Sequence, residues 1–186
     1  FKGGMSFGGT CFPRDTFAFN RISKDLGIST ALFDAVDKIN QHQNRLLFRL
    51  VLDKLKNKSN NSVTVLGMSF KMGTPVIEES VGLTLVNNLL KKSPNTRINA
   101  IDPKAKNNCE SYFMDKIEVF SHISNQLNNS DVIVLINNEK DFIEEIHNLE
   151  PTRDIVIVDC WRALDQNKIH QNIELIQWAK NKGEKK

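Results

Sequence analysis

Apolar residues in the first third of the chain recur at helical spacing. Within residues 29–58 they stand four and three positions apart, with Gln43 as the polar interruption, and no proline or glycine occurs there. This pattern predicts one amphipathic helix, capped by Ser29 or Thr30, that would be about 40 Å long. A shorter helix over residues 16–26, ending at Gly27, is expected before it. The apolar positions of the long helix are Leu32, Val36, Ile39, Leu46 and Leu50.

The predicted long helix exceeds the needs of one small domain. It would either bridge two domains or pack against its copy in a second subunit, and burial within one domain is the alternative. We expect a homodimer built on this helix. Residues 1–58 are therefore interpreted as a helical dimerisation segment that also carries the loop around Cys11.

The second part of the chain alternates short apolar runs with helical stretches, after a polar, turn-forming linker at residues 56–62. Strands are predicted at residues 63–66, 97–101, 117–120, 132–136 and 155–158, and helices at residues 80–92, 105–114, 123–127, 139–147 and 169–180. Such alternation is typical of an α/β domain with a doubly wound, Rossmann-like parallel sheet, here residues 62–182. Asp102 and Asp159 follow predicted strands, at the edge where such sheets bind ligands.

The composition is that of a globular protein. The 186 residues are 40% hydrophobic and 25% charged, which is enough apolar material to bury a core and too much for a disordered chain. A net charge of +3 is too small to indicate nucleic acid or a membrane surface as a partner. No apolar run is long enough to span a bilayer. The three cysteines lack metal-type spacing and are interpreted as thiols in a reducing cytoplasm.

Residues 7–15, Phe-Gly-Gly-Thr-Cys-Phe-Pro-Arg-Asp, carry the first candidate site. The paired glycines allow the backbone to approach a neighbour closely. If a helix begins near Pro13, Cys11 lies at the positive end of its dipole, which favours the thiolate. Asp15 would then be close enough to handle a proton or a water molecule. This pattern indicates a nucleophilic cysteine, and a glycine turn with a buried cysteine and an ordinary first-turn acid is the alternative.

The loop at residues 67–80 is the second candidate site. Lys71 stands between Gly67 and Gly73, where glycine permits close approach of a ligand and the ammonium group can meet a phosphate or a sugar hydroxyl. Arg162 is a further candidate, because its planar guanidinium group binds phosphate with two hydrogen bonds. Taken alone, Lys71 also fits a surface lysine, and Arg162 fits a surface ion pair.

Three motifs resemble one family, the nucleotide-sugar (UDP-glucose/GDP-mannose) 6-dehydrogenases. Residues 8–15, Gly-Gly-Thr-Cys-Phe-Pro-Arg-Asp, are similar to its active-site signature. Residues 63–80, Val-Thr-Val-Leu-Gly-Met-Ser-Phe-Lys-Met-Gly-Thr-Pro-Val-Ile-Glu-Glu-Ser, resemble the start of its UDP-binding domain, and residues 159–162, Asp-Cys-Trp-Arg, resemble a motif near the end of that domain. The resemblance covers almost the whole chain. It implies NAD-dependent oxidation of a UDP-sugar at its C6 alcohol to the uronic acid, in two steps through a cysteine thioester.

The resemblance also assigns roles by position. Cys11 would be the nucleophile, and Asp15 would orient or deprotonate the water that hydrolyses the thioester. Substrate would be bound by Lys2, Gly3, Gly4, Met5, Ser6, Phe7, Gly8, Phe70, Lys71 and Arg162. The nicotinamide of NAD would lie beside Cys11, Phe12, Pro13 and Arg14.

Two features depart from the family pattern. Glu78 stands where the family commonly has an arginine that contributes to the dinucleotide site, so the charge is reversed there. The sequence contains no Gly-x-Gly-x-x-Gly fingerprint. The family's N-terminal NAD-binding domain is therefore expected to precede Phe1, and this chain alone is expected to be inactive as a dehydrogenase.

Two other classes of function remain open at this point. One is a non-catalytic module that binds nucleotide and assembles subunits. The other is a cysteine hydrolase in which Cys11 works with one of the histidines. Within the dehydrogenase interpretation, the sugar also stays open between UDP-glucose, an acetamido sugar and GDP-mannose.

Overall fold

Two helices form the first third of the protein. The computed structural model describes residues 4–56, 58 and 60–179. Helix α1 spans Phe12–Asp25, and helix α2 spans Ala31–Leu55. α1 begins earlier than predicted because Pro13 suits the first turn of a helix, where its missing amide hydrogen is not needed. It ends before Gly27, whose φ of +69° closes the last turn in a conformation that favours glycine.

α2 is a long helix as predicted, although it is shorter than expected at both ends. In its second half, Leu47, Val51 and Leu55 are buried in the main core. In its first half, Leu32 and Ile39 are 71% and 61% exposed. α2 is thus anchored in the core at one end and presents an apolar face at the other. No helix in the part of the chain that the structure describes, α2 included, is long and apolar enough to cross a membrane.

The described residues after α2 contain one six-stranded sheet, with helices between its strands. Its strands are β1 Ser62–Leu66, β2 Arg97–Ile101, β3 Glu118–Phe120, β4 Val132–Leu135, β5 Ile155–Asp159 and β6 Ile173–Gln177. All neighbouring strands pair in parallel, in the order β3-β2-β1-β4-β5-β6. This is the order of a doubly wound Rossmann-like fold. The predicted fold class is confirmed, as are the five predicted strands.

Helices cover both faces of the sheet. Three more helices follow α2, namely α3 Val81–Lys92, α4 Lys106–Phe113 and α5 Lys140–His147, and two short 3₁₀ turns lie at Met114–Lys116 and Gln166–Lys168. One buried core joins α2, α3 and α4 to one face of the sheet. A second core joins α5 and the segment at residues 121–130 to the other face. Strand residues alternate between these two cores, so nearly every position of the central strands is buried.

Two predicted helices are wrong. Residues 123–127 form turns, because the Ser124 amide donates to Gln126 Oε1 at 2.6 Å, and such local side-chain bonds compete with helix formation. Residues 169–180, of which residue 180 lies outside the described part, contain β6 instead. Successive residues of β6 face opposite sides of the sheet, with Ile173 and Leu175 packed against one core and Ile176 against the other. Burial on both faces therefore selects the strand.

Candidate functional site

The carboxyl edge of the sheet carries the candidate binding site. β1 pairs with β2 on one side and with β4 on the other, so the winding direction of the chain reverses between β1 and β4. Doubly wound sheets bind ligands in the crevice at such a point. The loops on its two sides are joined, because Asn137 Nδ2 donates to the Ser69 carbonyl at 3.2 Å and to Ser69 Oγ at 3.0 Å.

Asp102, directly after β2, fixes the start of the loop that follows β1. Its buried Oδ2 accepts hydrogen bonds from the amides of Met68 and Ser69, both at 2.8 Å. Its Oδ1 accepts from the amides of Lys104 and Ala105 at 3.0 and 2.8 Å. Sequence analysis placed Asp102 at the ligand-binding edge. In the structure its carboxylate is fully engaged by backbone, so it shapes the edge and has no oxygen free for a ligand.

Asp159, the last residue of β5, fixes the turn that carries Arg162 in the same way. Its Oδ1 accepts from the Trp161 amide at 3.0 Å and its Oδ2 from the Leu164 amide at 2.9 Å. Arg162 lies between these two donors with φ of +56°, a left-handed conformation that costs an arginine about 1 kcal/mol or more. The Trp161 indole N–H donates to the Ile136 carbonyl after β4. These bonds hold Arg162 exposed at the edge of the sheet.

The glycine segment at residues 4–9 lies against this same edge. The Gly9 amide donates to the Glu78 carbonyl at 3.1 Å. A Cβ atom at Gly9 would lie 2.5 Å from the Phe70 ring, and one at Gly8 would overlap the Glu79 carbonyl. Any side chain here would force the segment off the loop after β1. The paired glycines therefore allow residues 4–9 to pack closely on the loop after β1. The sequence indicated such a close approach but not its partner.

Gly4 makes a similar contact further along the edge. A Cβ atom on Gly4 would lie 2.7 Å from the Trp161 ring, and Met5 packs against the main core. On its opposite side the segment is bonded to α2, with Ser6 Oγ donating to Asn44 Oδ1 at 2.5 Å. Residues 4–9 thus lie between the long helix and the carboxyl edge of the sheet, with Phe7 exposed.

Cys11 follows this segment at the N-terminus of α1. It is the residue that caps the helix, and its thiol is exposed. Thr10 Oγ1 lies 3.7 Å from Cys11 Sγ, and the Asp15 amide donates to the Cys11 carbonyl at 2.8 Å. The alternative of a buried cysteine in a glycine turn is therefore wrong. An exposed sulfur at the positive end of a helix is well placed to act as a nucleophile.

Asp15 and Arg14 lie beside Cys11. Arg14 Nε donates to Asp15 Oδ1 at 2.8 Å, and both side chains are exposed. The pKa of Arg14 is raised above its ordinary value, first by this hydrogen bond and the charge of Asp15, and then by the charge of Cys11. The positive charge of Arg14 is thus near enough to Cys11 for the two side chains to interact.

The other two thiols are unsuited to chemistry. Burial raises the pKa of Cys109 to about 12, and burial also raises the pKa of Cys160 strongly. Two histidines are engaged elsewhere, since His147 Nε2 accepts from the Asp165 amide and His170 Nδ1 from the Asn172 amide. Within the described residues, no histidine is hydrogen-bonded to Cys11, so the structure offers no support for a cysteine hydrolase.

The structure brings together only part of the residue set assigned from sequence. Gly4 lies against Trp161, Gly8 against the Glu79 backbone and Phe70 against Gly9, all at the edge of the sheet, whereas Met5 packs against the core. Phe12 is 71% exposed beside Cys11, and Lys71 and Arg162 are exposed with no ion pair among the described residues. Lys2 and Gly3 lie outside the described residues.

Sequence analysis missed the residues that hold the site in place. Asp102 and Asp159 were noted only for their position after strands, and Trp161 only as part of a motif. Asn40 and Asn44 were not singled out. The sequence does mark both residues, because they fall on the same face of the helix as Val36, Leu47 and Val51. A polar side chain on such a face needs a hydrogen-bond partner.

Comparisons with known proteins match both parts of the chain to one family. Residues 64–166 match the UDP binding domain of the UDP-glucose/GDP-mannose dehydrogenase family, and residues 1–42 match the central domain of the same family. A UDP-glucose 6-dehydrogenase of Rickettsia bellii is 27% identical over 175 residues, which is 89% of this chain and 39% of that protein. A GDP-mannose 6-dehydrogenase of Pseudomonas putida is 31% identical over 150 residues, which is 75% of this chain and 33% of that protein.

A solved structure shows the same architecture. A UDP-glucose dehydrogenase from Pyrobaculum islandicum superimposes with a TM-score of 0.77 at 26% identity, over 92% of this chain and 38% of that one. The chain spans 33% to 39% of the length of the two 6-dehydrogenases named above. The matched domain models, the relatives and the shared fold lead to one conclusion: the chain belongs to the UDP-glucose/GDP-mannose dehydrogenase family.

Proposed function

We propose that this chain is the C-terminal portion of an NAD-dependent nucleotide-sugar 6-dehydrogenase, which oxidises the C6 alcohol of a UDP-sugar to a carboxylate. The observation that carries the proposal is the position of the exposed thiol. Cys11 directly follows a glycine segment that packs on the carboxyl edge of the sheet. The relatives named UDP-glucose 6-dehydrogenase and GDP-mannose 6-dehydrogenase support the same reaction.

The nucleotide would bind at the point where the sheet reverses its winding. The exposed cations Lys71 and Arg162 stand on the loops after β1 and β5, where they can meet the negative charge of a diphosphate. Phe70 supplies an aromatic face against Gly9. The sugar would then extend from the diphosphate along residues 4–8 towards Cys11.

Cys11 would carry the covalent step. Its thiolate adds to the C6 aldehyde formed by the first oxidation, so a carbon–sulfur bond forms and the aldehyde oxygen takes up a proton. The second oxidation converts this adduct to a thioester. Water then attacks the carbonyl carbon, the carbon–sulfur bond breaks, and the thiolate and the acid are released.

Asp15 and Arg14 have separate tasks in this scheme. Asp15, one helical turn from Cys11, would orient the attacking water and accept its proton. Arg14, held by Asp15 and close to the sulfur, would favour the thiolate that attacks and later departs. The ion pair keeps both groups on the side of α1 that carries Cys11.

The residues assigned to NAD fit one end of that cofactor. Phe12 offers an exposed aromatic face beside Cys11, which suits a planar ring, and NAD when bound would supply the hydride acceptor for both oxidations. Glu78, which is exposed, provides a negative charge where the family has a cation. We propose that the diphosphate of NAD is held by a separate NAD-binding domain of the whole protein.

The apolar face of α1 and α2 supports a second part of the proposal. The two helices are joined by the rings of Phe19 and Phe33, whose centroids are 4.8 Å apart. Large apolar side chains remain exposed on them, including Phe17, Ile22, Leu26, Leu32 and Ile39. Surfaces of this kind are normally covered by protein. We propose that a second copy of the chain covers this one, giving a homodimer.

Calorimetric titration with UDP tests the nucleotide site. Losing one charged hydrogen bond costs about 1.5–3 kcal/mol, so Arg162→Ala and Lys71→Ala should each weaken UDP binding roughly tenfold to a hundredfold. Lys91→Ala makes the same change of charge on the exposed side of α3 and should bind UDP like the unchanged chain. If all three variants bind UDP equally well, the nucleotide site lies elsewhere.

A further inference from the structure

One side chain of α2 binds the backbone of the glycine segment at two points. Phe7 N–H donates to Asn40 Oδ1 at 2.8 Å, and Asn40 Nδ2 donates to the Phe7 carbonyl at 2.9 Å. The carboxamide thus pairs with both polar groups of one residue, as a neighbouring β-strand would. This pairing joins residues that are 33 positions apart in the sequence.

Among the described residues the segment has further attachments. Towards the sheet it is held by one backbone hydrogen bond, from Gly9 to Glu78, by close packing of its glycines and by Met5, which packs against the main core. Towards α1, the Phe7 ring lies edge-on to the Phe12 ring, with centroids 6.2 Å apart. Towards α2 it is held by Asn40 and by the Ser6–Asn44 hydrogen bond. It forms no helix or strand of its own. The side-chain hydrogen bonds from α2 therefore restrain the backbone of the segment at Ser6 and Phe7, a few residues before Cys11.

The helix that carries Asn40 is fixed to the nucleotide-binding edge. Leu47 and Val51, about two and three turns further along α2, are buried in the same core as Val63 and Val65 of β1. α2 therefore forms a rigid connection from the core beneath the loop after β1 to the backbone of Phe7. Phe7 itself precedes Cys11 by four residues.

We infer that Asn40 is a positioning residue that sets the distance between the Cys11 thiol and the nucleotide site. This inference rests on the proposed dehydrogenase function, since it needs a substrate bound at the sheet edge and attacked at Cys11. Both partner groups of Asn40 belong to an exposed part of the chain, so water can replace the lost bonds and overall stability changes little. A displaced nucleophile, by contrast, slows the reaction strongly.

The test compares Asn40→Ala with Gln41→Ala in the full-length protein that carries this chain. Gln41 is the next residue of α2 and is bonded only to exposed Asp37 among the described residues, so it is a matched control. We expect Asn40→Ala to lower kcat by about tenfold to a hundredfold, with the UDP dissociation constant and the melting temperature equal to those of Gln41→Ala. Asn40→Asp keeps the acceptor for Phe7 N–H but repels the Phe7 carbonyl, and should not restore kcat.

Two outcomes would overturn the inference. In one, Asn40→Ala turns over as fast as Gln41→Ala. In the other, Asn40→Ala loses UDP binding and thermal stability together, which would make the role purely structural. Hydrogen exchange at residues 4–11 gives a readout without turnover, and we expect exchange there to be faster in Asn40→Ala alone. If the unchanged protein oxidises no nucleotide sugar, the proposed function fails, whereas unchanged exchange in Asn40→Ala would refute the role of Asn40 specifically.

Discussion

Replacing Cys11 with serine in the full-length protein should abolish formation of the uronic acid while UDP-sugar still binds. Cys11 is exposed at the N-terminus of α1, and the groups proposed to bind the nucleotide stand on the loops of the sheet. A serine ester releases its alkoxide far less readily than a thioester releases a thiolate. We therefore expect net turnover to fall by more than about a thousandfold. Acid formation measured by chromatography, with binding followed by calorimetry, checks both parts.

The buried thiols provide the control for this variant. Cys109 is buried, with a pKa of about 12, so Cys109→Ala removes a thiol that takes no part in chemistry. Its turnover should stay near that of the unchanged protein. Acid production by Cys11→Ser at a rate similar to that of Cys109→Ala would refute the covalent mechanism.

Asp102→Ala should have the largest effect on stability among the site residues. The carboxylate accepts four backbone hydrogen bonds in a buried position, and alanine would leave those amides without their acceptor. Each unsatisfied buried donor costs about 1–3 kcal/mol, and relaxation of the loops recovers part of the sum. We expect the free energy of unfolding to fall by about 3–5 kcal/mol, measured by denaturant titration.

Asp115→Ala is the matched control for Asp102→Ala. Asp115 is exposed in a 3₁₀ turn, so its loss should change stability by less than about 0.5 kcal/mol. UDP affinity should also fall in Asp102→Ala, because Met68 and Ser69 begin the loop that presents Phe70 and Lys71. Equal stability of the two variants would show that the four hydrogen bonds contribute nothing to the fold.

The fold was largely predictable because its central strands are short apolar runs bounded by turn residues. β6 was not, since the segment Ile-Glu-Leu-Ile-Gln-Trp fits both helical and strand periodicity. Only pairing with β5, and burial of Ile173 and Ile176 on opposite faces, decides the outcome. That information lies in distant parts of the chain and not in the local pattern.

The candidate site was likewise predictable only in its local features. The pattern around Cys11 placed this cysteine at a helix N-terminus only on the condition that a helix begins near Pro13, and the helix itself was predicted from residue 16. In the structure α1 begins at Phe12, so the condition is met. The paired glycines correctly indicated close approach, but what they approach is Phe70 and the backbone of Glu79. The Asn40–Phe7 pairing and the engagement of Asp102 by loop amides join residues more than 30 positions apart. Helical spacing marks Asn40 as a polar residue on the packed side of α2, but no spacing rule reveals its partner before the fold is known.

The number of NADH molecules formed per nucleotide sugar consumed tests the central claim most directly. The full-length protein that carries this chain would be supplied in turn with UDP-glucose, UDP-N-acetyl sugars and GDP-mannose, with NAD in excess. The account predicts two NADH per sugar for the substrate that is used, with the carboxylic acid as the product. One NADH per sugar with release of the aldehyde, or no NADH with any of these sugars, would contradict it.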